Sequence, residues 1–497
     1  MSTEALLVVA PFLKHVGGPL LGPAMLAGAA RRAGHSVQVL DLAADWLRQV
    51  SPDLAYSPHS AFVGDHDRPA QRLRELEDRF LQETTPRAPS TRARVLRDIA
   101  VAARASFEDI LNMSQALSRG PWGQWIEEGL AAAGRPKLLG ISVMYSGQVL
   151  WSLAIVNVAR RIWGDLPTVW GGAHITALQE QIAFEPRYRV AGHGFVFGYA
   201  EQTWVDLLDA IAQDAPWPVE VVPAGRGRTP AARADDHGPP HFGFLERTEG
   251  TMLTLPAQAS RGCAYARCAF CTYPAVEGRY RQVSGGSWRP VVEQAVALAA
   301  RVSFKDSLLV PTLLVDIAHA IAGRTSWSAC TKLHPGLDRT MLASLAASGL
   351  GTLEVGLETI HPLAQALVDK QQAPKLLASL LDAATATGVS IVVNAMTGFP
   401  HIDPREEEEA LATVEQAIRC RPGLAARLEH HRFELERRSP MGLNPDRYGI
   451  EVVGAWPWSS VLDWRATQLT GFDRTYSAGS NTERPRDLIV PRRAWPR

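Results

Sequence analysis

The chain opens with a compact apolar run, Ala5-Leu-Leu-Val-Val-Ala-Pro11, closed by a turn-prone stretch rich in Gly and Pro. Such a run reads as a buried strand. A helix-like segment from about Leu21 to Gly34 and a second strand at Ser36–Leu42 complete a β-α-β opening of a parallel sheet. From about 43 to 135 the chain is charged, with helical spacing around Pro69–Gln82 and Thr91–Leu117, and predicts a mostly helical insertion. Alternation resumes with a strand at Lys137–Ser142, a helix near Gly147–Trp163, strands at Pro167–Gly172 and Tyr188–Gly192, and a helix at Glu201–Ala212. About five βα steps predict a doubly wound, Rossmann-like domain over residues 1–215, whose ligands would bind beyond the carboxyl ends of its strands.

Residues 216–250 read as a linker by composition, with Pro-Trp-Pro, Gly-Arg-Gly-Arg and Asp-Asp-His-Gly-Pro-Pro. A second βα series begins at about Leu253. Its candidate strands are Leu253–Ala259, Val302–Asp306, Ser326–Lys332, Thr352–Gly356, Val389–Thr397 and His431–Glu436. Helices fit between most of them, notably Val291–Ala300, Asp338–Ser348, Lys375–Thr387 and Arg405–Ile418. Six steps predict a partial (β/α)6 TIM-type barrel over 251–425, with its site at the strand carboxyl ends. Residues 426–497 would add the last strand and a small C-terminal, substrate-side segment. The stretch 483–497, with five arginines and three prolines, reads as a solvated tail.

At 497 residues the chain exceeds what one core supports, in keeping with two α/β domains. Lys+Arg and Asp+Glu number 51 each, so net charge gives no reason to expect nucleic acid or an acidic membrane as partner. Pro11 interrupts the first apolar run, no basic n-region precedes it, and no apolar stretch approaches the roughly 18 residues that span a bilayer. These features predict a cytoplasmic protein. Five cysteines in so long a chain make no disulfide framework; three fall within nine residues, which suggests a reducing compartment and a metal site.

That cluster is Ser260-Arg-Gly-Cys263-Ala-Tyr-Ala-Arg-Cys268-Ala-Phe-Cys271, directly after a strand. Three thiolates in one loop can bind three irons of a [4Fe–4S] cubane and leave the fourth open. Structural zinc is the competing reading, but no fourth ligand follows at zinc-ribbon spacing. The loop Gly-Cys-Ala-Tyr-Ala-Arg-Cys-Ala-Phe-Cys resembles the Gly-Cys-Tyr-Trp-Gly-Lys-Cys-x-Phe-Cys form of cobalamin-domain radical S-adenosylmethionine (SAM) enzymes, a branch that includes maturases of ribosomal peptides. Its spacing of four residues, then two, departs from the usual three, then two. The resemblance runs from residue 5 to about residue 450.

This resemblance implies that Cys263, Cys268 and Cys271 are both catalytic and the cluster's ligands, with Phe270 beside SAM in the same loop. Phe304-Lys-Asp306 resembles the family's acidic strand end. Glu354-Val-Gly-Leu-Glu358-Thr resembles Gly-x-Glu-Ser/Thr, in which the Glu358 equivalent binds SAM, and Lys370 matches the lysine that often follows. Asn394-Ala-Met-Thr-Gly398-Phe-Pro400 resembles the Gly-Phe-Pro strand end, so Asp306, Asn394 and Gly398 join the implied SAM contacts. Read from the residues alone, Asp306 could equally cap the next helix, Asn394 could satisfy strand-end backbone groups, and Lys332 and Lys370 read as solvated.

In the first domain, a corrin needs small residues at strand ends, where backbone amides can face it. The chain offers Pro11 through Gly22, Ser142 to Ser146 with Tyr145, Trp170-Gly171-Gly172-Ala-His174 and Gly198-Tyr-Ala-Glu201. The last two resemble the family's Gly-Gly-x-His and Gly-x-Gly-Glu turns, with Tyr199-Ala200 in place of Glu-Gly. Pro11, Gly22, Ser142, Tyr145, Gly171, Gly172, His174, Gly198 and Glu201 are thus the implied cobalamin contacts. Leu13-Lys-His15-Val-Gly-Gly18 keeps the His and Gly of Asp-x-His-x-x-Gly but lacks the Asp that would orient an imidazole toward cobalt, so His15 reads as a loop histidine.

The resemblance implies a natural-product enzyme using a [4Fe–4S] cluster, SAM and cobalamin to methylate an unactivated carbon of a peptide or small precursor. An external donor of flavodoxin or ferredoxin type would supply electrons; no nucleic acid or membrane partner is expected. Radical rearrangement and 3-amino-3-carboxypropyl transfer remain alternatives, as does a non-catalytic cobalamin or redox sensor.

Overall fold

The computed structural model describes residues 4–11, 19–45, 104–227, 238–245, 253–370 and 372–467. The expected helix at 69–82, His15 and the arginine-rich tail lie outside them.

The chain is α/β, with two parallel sheets. In the first, strands β1 (Ala5–Val9), β2 (Val37–Asp41), β3 (Leu138–Ser142), β4 (Thr168–Gly171) and β5 (Gly194–Phe195) lie in the order β2-β1-β3-β4-β5. Every residue of β1 and β3 is buried, as expected for central strands covered by helices on both faces. One face carries the core around Ile110, Ile126, Ile155 and Trp170; the other carries Leu7, Ala27, Trp204 and Leu207. The strand order reverses between β1 and β3, the place where doubly wound sheets open a ligand crevice.

Within the expected insertion, helices span Phe107–Arg119 and Pro121–Ala133. Ser106 caps the first through Asp109 N–H (3.1 Å), and Pro121 opens the second at a position where its missing N–H costs nothing.

The second sheet holds β6 (Thr254–Ala257), β9 (Arg301–Phe304), β10 (Trp327–Thr331), β11 (Leu350–Glu358), β12 (Ser390–Thr397) and β13 (Ala426–Arg432), all parallel and in sequential order. A small hairpin, β7 (Ser260–Arg261) and β8 (Arg281–Gln282), brackets the cysteine loop. Leu255, Val302, Phe304, Trp327, Leu353 and Val355 pack outward against the helices, so alternate residues face inward. The result is the six-strand partial barrel that the pattern predicts. Strands β14 (Leu435–Glu436), β15 (Ile450–Ala455) and β16 (Val461–Ala466) form a third, antiparallel sheet.

Three expectations are corrected. The strand expected at Tyr188–Gly192 is instead a 3-10 turn, Pro186–Val190, started by Pro186 and by the Glu185 carboxylate accepting from Arg187 N–H at 3.0 Å. Tyr188 turns its ring onto Phe107 and Trp458, which explains the misleading apolar spacing. The linker is not loose at its start: Val222 exchanges two 2.9 Å backbone hydrogen bonds with Phe195, and Val221, Val222 and Ala224 are buried in the first domain. The last barrel strand falls at Ala426–Arg432 rather than His431–Glu436, because Phe433 and Leu435 serve a separate core with Met441, Tyr448 and Leu462. A polar edge strand carries little hydrophobic signal.

Candidate active site

The cysteine loop leaves the barrel after β7 and is held on several sides. Gly262, at φ +71, gives its N–H to the Glu277 carboxylate at 3.0 Å; a Cβ there would lie 2.7 Å from the Gly278 carbonyl. Glu277 also accepts from the Ser307 hydroxyl at 2.8 Å. The segment 368–370 latches the far side: Ala269 N–H donates to Val368 O at 2.9 Å, the Tyr265 hydroxyl to Asp369 O at 2.7 Å, and Arg267 forks onto the Asp369 carboxylate.

Cys263, Cys268 and Cys271 are all half-buried in this loop, and Cys263 Sγ accepts from Ala266 N–H at 3.5 Å. Burial pushes the Cys268 and Cys271 thiols up to about 12. Two thiols that resist ionising alone are suited to a bound cation that holds them as thiolates. Among the described residues, no three His, Cys, Asp or Glu side chains converge as on a single metal ion. A cubane does not need such convergence, since each of its irons takes its own cysteine. Cys330 sits two strands over from β6, on the inner face of β10, and Cys420 is exposed at the end of helix Pro404–Arg419, so the loop keeps three ligands. The residues fit a cubane with one open iron.

Glu358 ends β11 in the left-handed region (φ +65), a conformation that costs a non-glycine residue about 1–3 kcal/mol and concentrates at functional sites. Lys370 Nζ donates to its Oε1 at 2.6 Å, with both side chains buried. Burial opposes the Lys370 charge, but Glu358 and neighbouring Cys268 outweigh it and raise the ammonium's pKa. The reading of Lys370 as solvated is therefore corrected. Lys332 lies over the Tyr265 ring at 3.6 Å, and burial with the like charge of Lys370 draws its pKa down to about 8. Phe270 packs beside the C-terminal core.

Asp306 lies at the entry to the cysteine loop. Its carboxylate accepts from Ala259 N–H (3.1 Å) and from the Ser260 N–H and hydroxyl (2.7 Å to the latter), and burial raises its pKa to about 7. It pins the entry to the cysteine loop. Asn394 Nδ2 donates to Glu354 Oε1 at 2.7 Å, one layer below Glu358. Gly398 (φ +83) and Phe399 give their N–H groups to buried Glu407 at 2.6 and 2.8 Å.

The first domain brings its strand ends to the same place. Helix Ala173–Ala177, after β4, packs against helix Tyr273–Glu277, which follows Cys271. Tyr145 and Tyr273 keep 42% and 51% of their surface exposed, yet desolvation raises both phenols, and each lies within electrostatic reach of the other. Both therefore line a hollow walled by protein. Pro11, Ser142, Gly171 and Gly198 stand at the strand ends around it, and a Cβ on Gly22 would meet nothing within 4 Å. At Gly172 (φ +109) a Cβ would lie 2.3 Å from Val143 O, so only glycine fits. Gly198 N–H donates to Thr176 at 2.9 Å. Open space in front of small residues at a sheet switch point fits a planar macrocycle.

Two of the residues expected at the corrin have buried protein partners. His174 is buried, and its Nε2 bonds to Trp458 O at 3.0 Å, with burial lowering its pKa to about 4. Glu201, 4% exposed, forms an ion pair with Arg261, 2% exposed, and the guanidinium lies 3.8 Å over the Tyr199 ring. That contact joins the Gly198–Glu201 turn to the residue two before Cys263.

Sequence reasoning missed Arg261, Glu407 and Gln148. Gln148 is buried, donates to Ala10 O at 2.7 Å and accepts from Met144 N–H at 2.7 Å, tying the β1 and β3 lips of the crevice together. Arg261, set in Ser-Arg-Gly-Cys, had a positional signal; Gln148 and Glu407 had none.

No protein-family model matches the sequence, and neither does any curated protein. Solved structures do. The methyltransferase TsrM from Kitasatospora setae, with cobalamin and a [4Fe–4S] cluster bound, aligns at TM-score 0.60 and 16% identity over 96% of this chain and 86% of its own. The same enzyme with tryptophan and aza-SAM aligns at 0.62 and 16% identity, over 94% and 86%. The cobalamin-dependent SAM radical enzyme OxsB, with aqua-cobalamin and SAM, aligns at 0.59 and 14% identity over 94% of this chain and 64% of its own, so this chain spans less than two thirds of OxsB. Among the described residues no helix is long and apolar enough to cross a membrane. The chain has the fold of the cobalamin-dependent radical SAM enzymes, a Rossmann-like cobalamin-type domain followed by a radical SAM partial barrel.

Proposed function

We propose that this protein is a cobalamin-dependent radical SAM enzyme that methylates an unactivated carbon of a natural-product or peptide precursor. The observation that carries the reading is the position of the three thiols: a half-buried Cys263/Cys268/Cys271 loop beside the crevice of the first sheet, with Tyr273 within electrostatic reach of both Cys271 and Tyr145. When bound, the cluster and SAM would supply radical chemistry at a substrate carbon, and cobalamin would supply methyl transfer.

The chain's own residues supply position. Cys263, Cys268 and Cys271 would hold three irons. Glu358, oriented by Lys370, presents a carboxylate for ribose hydroxyls or an ammonium. Glu407 fixes the Gly398-Phe399 turn, Asp306 fixes the loop entry, and Gly171, Gly172 and Gly198 let backbone approach the corrin. Reading the TsrM and OxsB ligands onto this chain supports SAM, cobalamin and a small-molecule substrate, with electrons from an external flavodoxin- or ferredoxin-type donor.

The test is anaerobic reconstitution with iron, sulfide and hydroxocobalamin, followed by reduction with SAM. The expected results are about four irons and one cobalamin per chain, formation of 5′-deoxyadenosine, and a product heavier by one methyl. Replacing the three cysteines by Ala should abolish iron binding and SAM cleavage. Zinc in place of iron, or SAM turnover in the triple variant, would defeat the proposal; a product of unchanged mass, or one carrying an aminocarboxypropyl group, would redirect it.

A further inference from the structure

Inward-facing residues of the barrel stack in layers set by strand register. Ala257 pairs with Phe304 and Ser303 with Ser328, so one and two residues on, Gln258, Lys305 and Cys330 stand side by side. Cys330 pairs with Glu354, Glu354 with Val392 and Val392 with Arg427, which completes one layer across all six strands. Lumens of packed barrels are filled by branched apolar side chains. This layer instead holds four ionisable groups and an amide.

Their pairing is uneven. Arg427 is matched by Glu429. Glu354 has one carboxylate oxygen taken by Asn394 Nδ2 at 2.7 Å and makes no other hydrogen bond among the described residues. The Lys305 ammonium makes no hydrogen bond or ion pair among them. Its side chain is open to the hollow, yet desolvation lowers its pKa, with Glu354 and Cys330 as its electrostatic neighbours. Burial pushes the Cys330 thiol up, so the group between the two charges is neutral. An ammonium and a half-satisfied carboxylate thus stand two strands apart, about 10 Å between backbones, and face one space.

Lys305 thus keeps an exposed ammonium on this space, and a charge without a partner there favours a ligand of opposite charge. SAM is not the natural occupant, because Glu358 and the cysteine loop lie four residues higher along β11, about 13 Å. We infer that this layer binds the zwitterionic end of the substrate, Lys305 taking its carboxylate and Glu354 with Asn394 its ammonium, so the substrate is a free α-amino acid. The inference rests on the enzymatic reading above. It places the amino acid's side chain upward, toward the strand carboxyl ends, so the reacting carbon lies on that side chain and not at Cα.

The test is equilibrium binding by calorimetry on the anaerobic, cluster-loaded chain, with the twenty proteinogenic L-amino acids as probes. At least one should bind, and its N-acetyl and methyl-ester derivatives should bind at least tenfold more weakly. Lys305→Met and Glu354→Gln should each weaken the free amino acid at least tenfold while iron content stays at the wild-type level. The blocked ligands test the idea on the unaltered protein, should either variant misfold. Binding of none of the twenty, or equal binding of free and blocked forms, would overturn it. Loss of SAM cleavage with amino-acid binding intact would instead count against the proposed function alone.

Discussion

Glu201→Gln is the most informative single perturbation, because it tests whether the two domains are locked by one buried charge pair. Both partners are almost wholly removed from water, at 4% and 2% exposed. Removing one member of such a pair leaves the other charged and unpaired, at a cost of about 3–5 kcal/mol. Gln keeps an acceptor for one guanidinium N–H, so the lower end, about 3 kcal/mol, is expected; at 1.4 kcal/mol per tenfold that is roughly a hundredfold in the folding equilibrium. The same pair replaced wholly by apolar side chains, Glu201→Met with Arg261→Met, removes the stranded charge and should recover most of the loss. Anaerobic urea titration read by tryptophan fluorescence, on the first transition, gives the four corners of a double-mutant cycle. Single variants within 0.5 kcal/mol of wild type, or a double variant equal to the sum of the singles, would refute the reasoning.

Other outcomes follow from single contacts. His174 is neutral when folded, with its pKa lowered to about 4 against an unfolded value near 6.5, so its stability contribution is complete above pH 6.5 and is lost as pH falls toward 4. The loss amounts to about 3 kcal/mol, and His174→Gln should flatten that part of the stability–pH curve. Gly172→Ala, with its Cβ driven onto Val143 O at positive φ, should cost about 2–5 kcal/mol in urea titration, whereas Gly22→Ala, facing open space in a helix, should shift stability by no more than about 1 kcal/mol. Lys370→Met strands the Glu358 carboxylate and should cost about 3–5 kcal/mol while weakening SAM in equilibrium dialysis; unchanged SAM affinity would remove Lys370 from the site.

Hydrophobic period made both sheets readable, since β1, β3 and most barrel strands are apolar runs or alternations between turns. The edges were not readable: β13 is polar, and the 186–190 turn copies a strand's spacing because Tyr188 has a tertiary reason to be apolar. The cysteine loop was legible because three thiols within nine residues have few other uses. What each carboxylate does was not. Asp306, Glu201 and Glu407 all end on backbone or guanidinium partners brought by other strands, and nothing adjacent in the chain marks those partners. The lumen layer was hidden for a related reason: Lys305, Cys330 and Glu354 become neighbours only once the register is known.

Trp458 belongs by sequence to the C-terminal segment, but its indole is buried in the core of the first domain against Trp170 and Tyr188, while His174 bonds its carbonyl. During translation, the Rossmann half would emerge with a socket the size of an indole still empty. At about 5–20 residues per second, the plug would arrive on the order of 10–50 s after helix Glu201–Ala212. Until then the nascent sheet presents an apolar hole to the cell, so release of the finished chain, rather than emergence of its first half, sets when that half becomes stable. A gene truncated before residue 458 would yield a first domain prone to chaperone capture and aggregation, even though every strand of its sheet had been made.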